Sequence, residues 1–140
     1  MTSTSPTTGG NVTMTGHRKN CETLRYVYQD FERLAETSAD DIVLHPAGRT
    51  STADDVHGLP HVLLHERNLL AATGGTLFMD VQHVSATASF GAVLGVLRAQ
   101  APTTVAMPFC GLWRFADGRL VEHWENPYSF ADLSRQLAQH

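Results

Sequence analysis

The chain has 140 residues, 42% of them hydrophobic and 17% charged, with a formal net charge of −4 at pH 7. That length suits one domain with a sizeable core, and the acidic balance leaves no basic surface for nucleic acid. No apolar run reaches the roughly 18–20 residues that cross a bilayer, and the opening MTSTSPTTGGNVTMTG has neither the basic start nor the apolar core of a secretion signal. Cys21 and Cys110 lie far apart, without the spacing of a redox pair or zinc knuckle, so reduced thiols in a cytoplasmic protein are expected.

In chain order, the Ser-, Thr- and Gly-rich residues 1–17 read as a flexible tail, because they cannot bury enough surface to offset ordering entropy. Residues 18–140 then form the folded domain. Leu24, Val27, Phe31, Leu34 and Ala35 recur at helical spacing and predict a helix over roughly 20–36. A short β-type run, IVLH, is stopped by Pro46 and Gly48, and the polar GRTSTADDVHG reads as a loop. LPHVLLHERNLLAA predicts a second helix, with Pro60 in its first turn and the glycines at 74 and 75 as its stop. Its apolar stripe is Leu59, Val62, Leu63, Leu69 and Leu70. TLFMDVQHVSA, FGAVLGVLRAQ, TTVAMPFCGLWRF and GRLVEHWEN then read as four strands of a meander. Ser129 and Asp132 resemble a capping box before a last helix with Phe130, Leu133 and Leu137. The strands are apolar on both faces, so the sheet needs two covers. The order predicts an α+β domain built on a curved antiparallel sheet.

The stretches ADDIVLHPAG, VHGLPHVLLHERNLLAATGGT and FCGLWRFADGRLVEHWENP, in this order, resemble a SnoaL-like protein. That family belongs to the nuclear-transport-factor-two-like superfamily, with ketosteroid isomerase and scytalone dehydratase. The resemblance spans about residues 20–138. It implies a cone-shaped α+β barrel, whose curved sheet wraps on helices around an internal apolar pocket. It also implies a homodimer through the outer sheet face, where Val93, Leu97 and Leu112 are the expected contacts.

By the same resemblance His45, just before Pro46, stands where the isomerases carry their general-base Asp. Gly111 stands where they carry an oxyanion acid, so that device is missing. His123 and Glu125 are expected on the inner face of the last strand, with Trp124 opposite; a one-residue slip would reverse this. His45 could equally end its strand at the surface. Met107, Phe109 and Trp113 are expected to line the pocket from the preceding strand, and Leu94 and Val96 from the strand before that. Tyr26 or Tyr28 would hydrogen-bond a ligand from the first helix. His65 would reach the pocket mouth.

The spacing His61-x-x-x-His65-Glu66 invites a zinc reading, but His61 lies well off the apolar stripe and is expected in water. Asp80 and His83 lie on opposite faces of their strand, and Cys110 is expected to pack rather than react. The expected activity is therefore a cofactor- and metal-independent cyclase or isomerase. It would act by acid–base catalysis on a hydrophobic oxygenated small molecule, a polyketide-type intermediate of antibiotic biosynthesis. His45 would be the base and Glu125 or His123 the acid. A dehydratase, an epoxide hydrolase and a noncatalytic small-molecule-binding module are the alternatives.

Overall fold

The computed structural model describes residues 8–138, with side chains from residue 17. Helix α1 runs Thr8–Gln29, so it covers residues 8–17 of the stretch expected to be a flexible tail; residues 1–7 lie outside the described residues. Leu24, Val27 and Tyr28 form its buried stripe. The helix ends before residue 36 because the Asp30 carboxylate accepts the Glu32 N–H at 3.0 Å and starts a separate 3-10 turn, Phe31–Arg33. A single α-helical turn, α2 (Leu34–Thr37), follows.

Strand β1 (Ser38–His45) is longer than the IVLH run, and the polar loop after it contains a two-residue strand, β2 (Val56–His57). Helix α3 (Leu59–Ala72) has the expected bounds, entered through Gly58 at φ 92° with proline in the first turn. Strands β3 (Phe78–Ala86), β4 (Phe90–Ala99), β5 (Val105–Ala116) and β6 (Arg119–Pro127) form the meander. Asp117 and Gly118 both have positive φ in the β5–β6 turn, the requirement of a tight right-twisting hairpin. Helix α4 (Phe130–Leu137) is capped by Ser129, whose hydroxyl accepts the Asp132 N–H.

The sheet order is β2-β1-β6-β5-β4-β3. It is curved and unclosed. The sheet is mixed rather than wholly antiparallel, because β1 runs parallel to β6. Trp113, Val93, Phe115 and Leu120 on its concave side pack against Leu24, Val27 and Val62 from the helices. No described helix is long and apolar enough to cross a membrane.

The antiparallel register decides which residues face inward. Gly91 pairs with Trp113, Val93 with Gly111 and Leu97 with Met107, so these residues share one face. Val93 and Leu97 are buried there, not on the outer face where dimer contacts were expected. Leu94 and Val96 point outward instead of lining the pocket, and Leu94 is 43% exposed. A one-residue difference in pairing inverted that strand. Leu112 does lie on the outer face.

Candidate functional site

Between the concave sheet, the end of α1, α3 and α4 lies a cavity of about 460 Å³. Phe31, Leu69, Met79, Leu97, Phe109 and Phe130 supply most of its apolar wall, and Leu133 and Leu137 of α4 close one side. Phe130 lies against Gly48, where an added Cβ would stand 2.6 Å from the ring. The polar residues that reach the cavity are Tyr28, His65, Glu66, His123, Glu125, Asn126 and Ser134. An apolar hollow with a few convergent polar groups is the usual form of a small-molecule site.

His123 and Glu125 face inward because β6 carries a bulge. Arg114 pairs with Glu122 but Phe115 pairs with Leu120, which leaves Val121 without a partner. Simple alternation from the buried Leu120 would have carried Glu122 and Trp124 inward. The extra residue resets the phase, so His123 and Glu125 follow Leu120 to the concave side.

His123 is buried and lies flat on Trp113, with ring centroids 3.6 Å apart and planes 15° from parallel. Its Nδ1 is 3.0 Å from the Leu112 carbonyl, which can only accept, so Nδ1 carries the hydrogen. The Nε2 lone pair is left without a protein donor among the described residues. Burial pushes the imidazole down to about 4, so it is neutral at physiological pH.

Glu125 accepts the Ala47 N–H at 3.1 Å and the His65 Nε2–H at 3.1 Å. Burial works to raise this carboxyl, but the bond and charge of His65 outweigh it and hold the group below its ordinary range. The same contact raises His65, against the opposing effect of burial. Ala47 is presented by Arg49, whose guanidinium donates to the carbonyls of His45, Pro46 and Glu125 and to the Asn126 side chain. Arg49 thus ties the loop after β1 to β6.

Tyr28 accepts a hydrogen bond from Trp113 Nε1 at 3.0 Å, which leaves its own O–H free. Its hydroxyl nests on Gly111, where any side chain would overlap it. Burial holds the phenol well above its ordinary value, so it stays protonated and can donate. Gly111 offers no acid, yet the space it leaves open is what admits a different donor.

Several expected site residues lie elsewhere. His45 pairs with Trp124 in the parallel β1–β6 register, and residues opposed in this way share a face. It therefore sits on the outer side of the sheet, stacked on Trp124 at 4.9 Å. Its Nδ1 lies 2.8 Å from Asp55 and its Nε2 2.6 Å from Glu122. With a carboxylate at each ring nitrogen on the outer side, His45 presents neither nitrogen to the cavity. Tyr26 is on the surface, donating to Glu36 at 2.7 Å beneath the Arg33 guanidinium. Met107 faces inward but is buried in the core beside the cavity. Trp113 is wholly buried and acts beneath the wall, by holding His123 and Tyr28. Phe109 does line the cavity, stacked with Tyr28 at 5.9 Å.

His61 is exposed, with Nδ1 at the His57 carbonyl, so the histidine pair on α3 does not converge. Asp80 pairs with Arg98 on the sheet surface, and His83 is exposed. The convergence on α3 is instead with Glu66, whose carboxyl lies within 4.8 Å of the His65 and Glu125 polar atoms. Glu66 entered the sequence reading only within the zinc-like spacing and was given no role of its own, although it lies one turn after the buried Val62, on the stripe that enters the core. His65 and Glu125 are bonded to each other, and Glu125 also accepts the Ala47 N–H. Burial, then the charge of Glu125, pushes the Glu66 carboxyl well above its ordinary range.

A family model for the SnoaL-like domain matches residues 22–123. No curated protein matches the sequence. Among solved structures, Bal32a from a soil-derived mobile gene cassette superposes with a TM-score of 0.75 at 21% identity, covering 87% of this chain and 98% of its own. A candidate SnoaL-like polyketide cyclase from Jannaschia sp. CCS1 gives 0.74 at 16% identity, covering 89% and 95%. IdmH, a candidate polyketide cyclase from Streptomyces antibioticus, gives 0.63 at 23% identity, covering 83% and 96%. At these identities the superpositions establish the fold.

Proposed function

The chain belongs to the SnoaL-like domain family, and from that premise we propose that it is a cofactor-independent cyclase or isomerase. Its substrate would be a hydrophobic, oxygenated small molecule of polyketide type. The observation that carries this reading is the pairing of a neutral imidazole, His123, with a charge-bearing carboxylate, Glu125, on one wall of an otherwise apolar cavity. A pocket that only binds needs no such pair. The kinship in fold with candidate polyketide cyclases supports the substrate class.

The roles differ from those expected of the sequence. A carboxylate that accepts bonds from His65 and Ala47 is suited to take a proton, so Glu125 is the base. His123 Nε2, with its lone pair turned to the cavity, is a second acceptor that can orient a ligand hydroxyl. Tyr28 donates its O–H to the oxygen on which negative charge develops, and desolvation in the apolar pocket strengthens that bond. Cyclisation and isomerisation both fit a base and a donor that act across one enolisable carbonyl. The outer face, where Leu94, Leu112 and Phe90 are exposed, would bury itself in a homodimer.

The test is a panel of oxygenated polyketide-type ketones, with binding read by Trp113 fluorescence and turnover by mass spectrometry. Glu125→Gln should keep affinity and lower turnover by about 10²–10⁴-fold, the usual contribution of a positioned base. Binding without turnover in the native protein would make it a binding module. Full turnover in Glu125→Gln would mean that the cavity works by holding a reactive substrate in shape alone.

A further inference from the structure

Two carboxyl groups, Glu66 and Glu125, meet inside the same apolar cavity, and only one of them has donors. Glu125 accepts from His65 and from the Ala47 N–H. Glu66 is 8% exposed, and its Oε1 has no hydrogen-bond partner among the described residues. Neighbouring carboxylates in a desolvated site cannot both be ionised, because the mutual repulsion and the lost hydration both favour one shared proton. The charge goes to the group with donors and the proton to the group without them.

We propose that Glu66 is the resident acid of the site: it holds a proton at neutral pH and delivers it to the oxygen of a bound ligand. Its position allows both acts. Glu66 and Tyr28 line the cavity and also a second hollow of about 500 Å³, bounded by α1, α3 and β3. Glu66 thus stands at the partition, with the reacting side in front and a hollow lined by more charged groups behind. The second hollow carries Arg25, Asp30, Glu32 and Arg67, and Glu32 and Arg67 are paired with each other. The titratable groups on the cavity side are Tyr28 from α1, His65 on α3, and His123 and Glu125 from β6. Tyr28 and the neutral His123 bring no charge. The basic group beside it, His65, is bonded to Glu125. None of these cavity-side groups hydrogen-bonds Glu66 Oε1.

The step balances simply. The Glu66 O–H bond breaks as the proton passes to a ligand alkoxide or enolate oxygen, which leaves a Glu66 carboxylate and a ligand hydroxyl. Solvent returns a proton to Glu66 through the second hollow and takes up the proton that Glu125 removed from the ligand, so both groups are reset and no charge is left behind. The base, Glu125, and the acid, Glu66, stand side by side, so one proton can enter the ligand as another leaves. Delivery to a ligand rests on the function proposed above, whereas the resident proton does not.

The two parts are therefore tested separately on the full chain. Difference infrared spectroscopy in water and heavy water reads the carbonyl stretch of a protonated carboxyl without any ligand. One such band is expected at pH 7, absent in Glu66→Gln and retained in the exposed-site control Glu32→Gln. No band at pH 7 would overturn the resident proton. So would a band that survives Glu66→Gln and vanishes in Glu125→Gln. Carboxyl carbon NMR of the labelled native protein gives the same answer without a variant, should Glu66→Gln fold poorly. It should find one Glu carboxyl still protonated at pH 7, and finding all of them ionised overturns the proposal.

Delivery is read with 2-naphthol, whose absorbance distinguishes phenol from phenolate. Loss of an acid that bonds the naphthol oxygen should raise the bound ionisation midpoint in Glu66→Gln by about one pH unit. An unchanged midpoint, with the infrared band intact in the native protein, would leave the proton in place and remove its role toward ligands.

Discussion

Trp113 and His123 lie face to face on adjacent strands, with ring centroids 3.6 Å apart. The stack buries His123 and keeps its imidazole neutral, pushed down to about 4 from 6.5. This makes stability depend on pH in a defined window. Above pH 6.5 neither the folded nor the unfolded chain protonates this residue. As pH falls from 6.5 to about 4 the unfolded chain takes up a proton that the folded one refuses, and stability is lost by about 3 kcal/mol. In His123→Phe that part of the acid loss should vanish. Denaturant midpoints of both proteins at pH 7 and pH 4.5 check this; equal losses would place the imidazole in water.

His45→Gln should cost stability and spare turnover. The imidazole bridges Asp55 and Glu122 on the outer face, and its removal leaves both carboxylates short of a donor. A cost of about 1–3 kcal/mol is expected, because the lost bonds involve charged groups. Urea unfolding and turnover measured side by side decide the matter. A turnover loss of 100-fold at unchanged stability would return His45 to the cavity chemistry.

Gly111→Ala should loosen the donor side of the site. A methyl there would overlap the Tyr28 hydroxyl and crowd Trp113 Nε1, which are 3.0 Å apart. Overpacking of this kind costs about 1–3 kcal/mol. Ligand affinity should fall with it, because the Tyr28 hydroxyl is displaced from the wall. Thermal unfolding and fluorescence titration give the readout. Native stability and affinity in the variant would mean that Tyr28 moves aside freely.

Leu112→Asp should produce monomers. Leu94, Leu112 and Phe90 leave the outer sheet face apolar and exposed, and a second copy of the chain would cover it. Sedimentation at micromolar concentration should find a dimer in the native protein and a monomer in the variant. A native monomer would refute the expectation outright.

The order of elements was legible in the sequence, because each depends on local pattern. The α3 bounds follow from Gly58, Pro60 and the glycines at 74 and 75, and the α4 start follows from Ser129 and Asp132. The four meander strands follow from their apolar runs and intervening turns. So did the presence of an inward His and Glu on β6, once the resemblance to SnoaL-like proteins set the frame. Which face each strand presents was another matter. Facing depends on register, and register depends on turns and bulges whose effect is a single residue. The pairing of Ala99 with Val105 across the β4–β5 turn sent Val93 and Leu97 inward and Leu94 and Val96 outward. The unpaired Val121 brought His123 and Glu125 in behind Leu120. The parallel β1–β6 register sent His45 to the far side. The role of Glu66 could not be read from spacing at all. Its burial and its meeting with Glu125, 59 residues away in the chain, exist only when α3 packs on the concave sheet. A one-dimensional pattern specifies which residues alternate. Only the packed sheet specifies where the alternation begins.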